Sequence, residues 1–168
     1  VIGHSLGEVA AFCVAGVLTL DAAARLIVGR GAAMASLETG VGAMAAVKAD
    51  ASTVKEALLK MDAALRPTVA ADNSPIGCTI SGPRAAVDAA LFALQEAKVG
   101  SGAPRKLRVV TDFHSACVEP CLAALREAAP PASAPSAVAV FSTATGIRLE
   151  AAPDAAYCAA QALATLEA

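Results

Sequence analysis

Gly3-His4-Ser5-Leu6-Gly7-Glu8 is the stretch of this sequence whose residue types and spacing could do covalent chemistry. A serine with a glycine two residues to either side is the pattern of a nucleophile elbow, a sharp strand-to-helix turn that leaves the hydroxyl exposed at a helix N-terminus. There the flanking glycines relieve steric crowding, and the Leu6 backbone N–H becomes one donor to an oxyanion. A serine hydroxyl also needs a base, and the chain has two histidines, His4 and His114. His4 adjoins Ser5, so its side chain diverges from the nucleophile and is read as a packing or hydrogen-bonding residue. His114 is the better base.

Gly-x-Ser-x-Gly is a weak pattern alone, so the surrounding elements decide its meaning. The run from Val9 to Leu20 is apolar and helix-tolerant, interrupted by Gly16, and Asp21 is placed to cap a second helix that runs through Arg30 and Met34. Ser5 therefore falls where a strand at Val1-Ile2 turns into a helix. Further on, strands are predicted at Ala43–Val47, Pro67–Ala71, Cys78–Ile80 and Lys106–Thr111, with helices at Ser52–Leu65, capped by Ser52, and at Arg84–Lys98. Asn73-Ser74-Pro75 reads as a turn. The order β-α-β-β-α-β is that of the split, ferredoxin-like motif. His114 follows its last strand and precedes a helical segment from Val118 to Ala128. Pro130, Pro131 and Pro135 mark a loop, and Val138–Ser142 reads as a further buried strand.

Composition sets the outer limits. The 168 residues are 57% hydrophobic and 17% charged, with a net charge of −2. That length suffices for a core without disulfides or metals. The near-neutral balance gives no electrostatic footprint for nucleic acid or an anionic membrane, and aromatics at 3% supply no stacking platform for bases. Alanine makes up about a quarter of the chain, which raises mean hydropathy without large side chains. Glu8, Asp21, Arg25 and Arg30 break up the most apolar region, so no membrane helix is expected. The five cysteines, Cys13, Cys78, Cys117, Cys121 and Cys158, are odd in number and lack metal-site spacing. They are read as buried thiols of a reducing, intracellular compartment, cytoplasm or plastid.

Taken together, Gly3-His4-Ser5-Leu6-Gly7-Glu8, Arg30, Gly42-Ala43-Met44-Ala45-Ala46-Val47, Asn73-Ser74-Pro75 with Ile80-Ser81-Gly82-Pro83, and Phe113-His114-Ser115 resemble the malonyl-CoA:acyl carrier protein transacylase family. That family includes the acyltransferase domains of polyketide and fatty acid synthases. The resemblance covers nearly the whole chain in one order. It implies an α/β fold: an incomplete α/β-hydrolase-like core from residues 1–40 and 111–168 that carries Ser5, Arg30 and His114, with an inserted ferredoxin-like subdomain at 41–110.

The resemblance also implies roles. Ser5 matches the nucleophile that takes the acyl group, His114 the base, and Arg30 the arginine that binds the free carboxylate of a malonyl group by a planar, two-pronged contact. From the sequence alone Arg30 reads rather as a helix-surface arginine, and it is the resemblance that turns the reading to carboxylate binding. Asn73 matches a motif asparagine near the site, yet a turn-forming asparagine is equally good structure. Phe113 matches the phenylalanine of the malonyl-type His-Ala-Phe-His pattern and would line the substrate pocket. Asp112 fits neither that pattern nor the methylmalonyl-type one, and a carboxylate facing the pocket would oppose a malonyl group. No third catalytic carboxylate is evident, so a Ser–His dyad is expected.

The implied substrates are malonyl-CoA and an acyl carrier protein. Coenzyme A enters as the thioester, with no resident cofactor or metal, and a ketosynthase in the same polypeptide is a further expected partner. The family's N-terminal strand and Gly-Gln-Gly loop are expected to precede Val1. A Pro-Val segment is expected to follow the Tyr157–Gln161 stretch, so the chain reads as truncated at both ends. Two other functions share parts of this pattern. A serine hydrolase or thioesterase would also show Gly-x-Ser-x-Gly, but should place an acidic triad member between the serine and the histidine and has no need of Arg30. An inactive fragment of a synthase acyltransferase domain is the other.

Overall fold

The computed structural model of the chain describes residues 1–38, 40–109, 112–130, 134, 136 and 138–167. In chain order these form β1 (Ile2–Gly3), α1 (Gly7–Val14), α2 (Leu20–Ala35), β2 (Gly42–Val47), α3 (Ala51–Leu59), β3 (Thr68–Ser74), β4 (Gly77–Pro83), α4 (Arg84–Glu96), β5 (Arg105–Lys106), α5 (Leu122–Ala128), β6 (Phe141–Ser142), α6 (Ala155–Leu163) and β7 (Leu166–Glu167). Short 3-10 turns lie at Ala63–Leu65 and Ala116–Cys121. The chain is α/β and divides into two compact units. The first comprises Val1–Leu37 and Glu119–Glu167, the second Glu38–Val118. These boundaries differ from 40/41 and 110/111. The stretch that carries His114 goes with the second unit, where the Ser81 hydroxyl donates to the Phe113 carbonyl at 2.7 Å.

In the first unit β1 and β6 run parallel, with Ile2 opposite Phe141 and Gly3 opposite Ser142. Val9 and Phe12 of α1, Leu26 of α2, Cys158 of α6 and Val140, just before β6, form the core together with Val17 and Leu18. Gly16, at φ 75°, ends α1 by letting the Val17 and Leu18 N–H groups both return to the Phe12 carbonyl, at 2.9 and 3.2 Å. Thr19, not Asp21, caps α2. Its backbone is extended and its hydroxyl accepts from the Ala22 N–H at 3.2 Å, while Asp21, within the first turn, pairs with Arg25 in solvent. A Cβ on Gly29 would stand 2.5 Å from the Ala128 methyl, so α2 and α5 approach through a glycine. The expected strand at Val138–Ser142 shortens to Phe141–Ser142 and is not fully buried, since Val138 and Phe141 are both close to half exposed. Bonds from Ser142 N to Ile147 O and from Leu149 N to Val140 O, each 2.9 Å, turn this segment back on itself.

The second unit has the order β2-α3-β3-β4-α4-β5, and its strands lie side by side as β5-β2-β4-β3, all antiparallel. Ala45 of β2 and Val69 of β3 flank Ile80 of β4, which is fully buried. Val54 and Leu58 of α3 and Val87, Ala90 and Leu94 of α4 complete this core. Asp50 caps α3 instead of Ser52, because its carboxylate accepts from both the Thr53 N–H and the Ser52 hydroxyl, at 2.8 and 2.5 Å. Those bonds hold the Asp50 carboxyl near pH 2. The helix stops at Leu59, where Arg66 donates to the Leu58, Leu59 and Met61 carbonyls. β3 runs through Asn73 and Ser74, so the hairpin turn is Pro75-Ile76 alone. β5 spans only Arg105–Lys106, and beyond it the Leu107 N–H still donates to the Met44 carbonyl of β2 at 2.8 Å. The expected helix from Val118 starts as a 3-10 turn containing Pro120, whose missing N–H delays the α-helix to Leu122. Val110, Thr111, Pro131 and Pro135, assigned above to a strand and a loop, lie outside the described residues.

No helix among the described residues is long and apolar enough to cross a membrane.

Candidate active site

Ser5 sits in the turn His4–Leu6 between β1 and α1, with a left-handed backbone at φ 52°. For a residue with a Cβ that conformation costs roughly 1–2 kcal/mol, and the surrounding bonds enforce it. The Gly7 N–H returns to the His4 carbonyl at 2.9 Å and the Glu8 N–H to the Ser5 carbonyl at 3.0 Å. Gly3 is required: a Cβ there would lie 2.1 Å from the Gly7 carbonyl oxygen. Gly7 is not required in this way, since a Cβ would meet nothing within 4 Å, so only one of the two flanking glycines relieves crowding. Leu6 occupies the position before α1 with helical backbone and a half-exposed side chain. His4 is exposed, not packed.

Arg30 lies on α2 with 7% of its surface exposed, so it is no surface residue. Burial lowers the pKa of its guanidinium, an effect opposed by the nearby Cys158 and Glu8. Its Nη1 donates to Oε1 of Gln161 on α6 at 2.5 Å, and Nε2 of Gln161 donates to the Ser5 carbonyl at 2.8 Å. One carboxamide thus joins the buried cation to the serine turn. Glu8, 1% exposed, accepts from the Tyr157 hydroxyl at 2.6 Å, and that hydroxyl also lies 2.5 Å from Ser142 Oγ. Burial, with the neighbouring carboxylate, raises the Tyr157 pKa well above the ordinary phenol value. The sequence reading missed Gln161, Glu8 and Tyr157 as site residues. A polar glutamine among the alanines of α6 is the signal that could have flagged the first.

In the second unit His114 also has a left-handed backbone, at φ 57°, and is buried. The turn around it is tied by the Ser115 hydroxyl, which is 2.6 Å from the Asp112 carbonyl and 3.2 Å from Asp112 Oδ2. Cys117 Sγ lies 3.1 Å from the same carbonyl. The Asp112 carboxylate packs against β2, so closely that a Cβ on Gly42 would stand 2.0 Å from Oδ1. Phe113 is half buried. Asn73 is exposed near the end of β3 and donates across the hairpin to Thr79 Oγ1 at 3.0 Å, a cross-strand bond in place of the expected turn. Cys78, Cys121 and Cys158 are buried thiols, whereas Cys13 and Cys117 are partly exposed. Among the described residues no three His, Cys, Asp or Glu side chains gather as metal donors.

Comparison with known proteins adds a lineage to this geometry. The family model for the acyl transferase domain matches residues 1–163. The 3-methylorcinaldehyde synthase tropA of Talaromyces stipitatus is 39% identical over 134 residues, 76% of this chain and 5% of that protein. A non-reducing polyketide synthase of Aspergillus terreus is 38% identical over 124 residues, 71% of this chain and 4% of its own length. Among solved structures, the acyltransferase domain from the second module of the salinomycin polyketide synthase superposes with a TM-score of 0.87 at 39% identity, covering 99% of this chain and 38% of that one. The acyl-carrier-protein-S-malonyltransferase of Bartonella henselae does so with a TM-score of 0.87 at 29% identity, over 99% of this chain and 54% of that one. The chain therefore spans about a twentieth of the length of these curated relatives.

Proposed function

Because this chain belongs to the acyl transferase domain family, we propose that it moves a malonyl group from coenzyme A to the thiol of an acyl carrier protein through an ester on Ser5. The observation that carries this reading is the serine turn, with Ser5 held left-handed at the N-terminus of α1 and tied to a buried cation by Gln161. Ser5 Oγ attacks the thioester carbonyl carbon and gives its proton to His114. The C–O bond forms as the carbonyl π electrons move to oxygen, and the Leu6 N–H stabilises that oxyanion. When the C–S bond breaks, the coenzyme A thiolate takes the proton from His114. In the second half-reaction His114 removes the proton of the carrier thiol, the thiolate attacks the ester, and the proton returns to Ser5 as its oxygen leaves.

Arg30 binds the malonyl carboxylate, and its burial strengthens that attraction by excluding water. Phe113 lines the acyl pocket. Asp112, whose carboxylate is docked on Gly42, opposes malonyl less than a pocket-facing carboxylate would. Of the two readings of Asn73, its bond to Thr79 supports the hairpin one. The strand order β5-β2-β4-β3 supports a ferredoxin-like second unit, and the elbow between β1 and α1 supports a first unit of the α/β-hydrolase type. The same reading places a ketosynthase in the same polypeptide and the protein in a reducing compartment.

Incubation with malonyl-CoA followed by intact mass tests it. A malonyl adduct that is lost in Ser5→Ala is expected; no adduct, or one surviving that substitution, overturns the assignment. Arg30→Ala should cost malonyl transfer about 1.5–3 kcal/mol in kcat/KM, the worth of a hydrogen bond to a charged group, and cost acetyl transfer far less.

A further inference from the structure

We propose that Gln161 is a positioning residue for this transfer, holding the Arg30 guanidinium and the Ser5–Leu6 peptide in one register; the inference rests on the function proposed above. The side chain is 3% exposed and makes both of its bonds within the first unit, Oε1 accepting from Arg30 Nη1 at 2.5 Å and Nε2 donating to the Ser5 carbonyl at 2.8 Å. The second bond acts on the oxyanion donor. The Ser5 carbonyl and the Leu6 N–H belong to one planar trans peptide and point in opposite directions. That carbonyl accepts from the Glu8 N–H at 3.0 Å as well as from Gln161, so both of its lone pairs are engaged and the peptide plane cannot rotate. The Leu6 N–H is thereby aimed away from Gln161, and bonding at the oxygen polarises it.

The first bond acts on the substrate carboxylate. A buried guanidinium presents its fork in one plane only if one edge is pinned, and Gln161 Oε1 pins it at Nη1. A primary amide is needed for this double contact: it must accept from a cation and donate to a carbonyl, whereas a carboxylate only accepts and a thioether does neither well. The amide therefore links how well a dicarboxylic acyl group is recognised to how well its oxyanion is stabilised.

The test compares wild type, Gln161→Met and Gln161→Glu with malonyl-CoA and acetyl-CoA as donors, active sites being titrated to completion with a serine-reactive fluorophosphonate. Gln161→Met should lower kcat with both thioesters about tenfold, through the Ser5–Leu6 peptide. It should lower the malonyl-to-acetyl ratio of kcat/KM about a further tenfold, through Arg30. Gln161→Glu, nearly isosteric, should move both quantities in the same direction, because it loses the donor and neutralises the cation; it decides alone if Gln161→Met does not fold. In an Arg30→Ala background Gln161→Met should leave the ratio unchanged. A merely structural residue would lower the titrated fraction and leave kcat and the ratio at wild-type values, and that result overturns the inference. Wild type that takes the fluorophosphonate and forms no malonyl ester overturns the underlying function instead.

Discussion

The hydroxyl of Tyr157 stands 2.6 Å from Oε1 of Glu8, a carboxylate that is 1% exposed and whose Oε2 finds no hydrogen-bond partner among the described residues. Removing that hydroxyl leaves a buried charge further unsatisfied. Tyr157→Phe should therefore lose about 1.5–3 kcal/mol of stability, more than its volume change explains. Urea unfolding checks this, together with Glu8→Gln: the double variant should lose less than the sum of the two singles.

At the serine turn, conformation and chemistry separate by substitution. Ser5→Ala and Ser5→Gly both remove the hydroxyl, but only glycine adopts φ 52° without strain. Ser5→Gly should be the more stable by about 1 kcal/mol, read from the two unfolding midpoints. Gly7→Ala should fold normally, with open space around the new methyl, whereas Gly3→Ala, forced against the Gly7 carbonyl, should abolish the turn.

Phe113 precedes the base candidate and is half buried. On the function proposed above it would fill room that an α-methyl branch needs, so malonyl should be preferred over methylmalonyl by about 1–3 kcal/mol. Phe113→Ser should narrow the preference in a competition assay with the two thioesters. An unchanged ratio removes Phe113 from the pocket.

The thiols give an alkaline signature. Burial pushes Cys78 and Cys158 up to about 11 each, whereas a thiol in the unfolded chain ionises near about 8.5. The folded protein keeps these protons longer. The stabilisation is thus fully present below about pH 8.5 and is lost as pH rises toward 11. Unfolding midpoints should fall across that window, less steeply in Cys78→Ala and Cys158→Ala. Iodoacetamide should modify Cys13 and Cys117 before the three buried thiols.

The element order of the second unit is legible in the sequence because short apolar runs and strong helical stretches alternate between turn residues. Helix caps were harder to read. Thr19 and Asp50 each stand close to another competent cap, and only backbone geometry separates Thr19 from Asp21 or Asp50 from Ser52. Of the strand expected before His114, Arg105 and Lys106 pair with β2 and the Leu107 N–H reaches the Met44 carbonyl, while Val110 and Thr111 lie outside the described residues. Within the site, Ser5 is legible from its glycines. Gln161 is not, because its partners Ser5 and Arg30 lie 156 and 131 residues away in sequence and no local period links them.

That separation has a consequence for biosynthesis. A ribosome makes the serine turn first and α6 long afterwards, so a nascent chain already carries the Ser5 hydroxyl while the amide that fixes its peptide plane has yet to be translated. The Ser5–Leu6 peptide is thus locked only at the close of a long-range closure of the first unit, and a chain arrested before α6 emerges holds the serine turn without the amide that fixes its peptide plane.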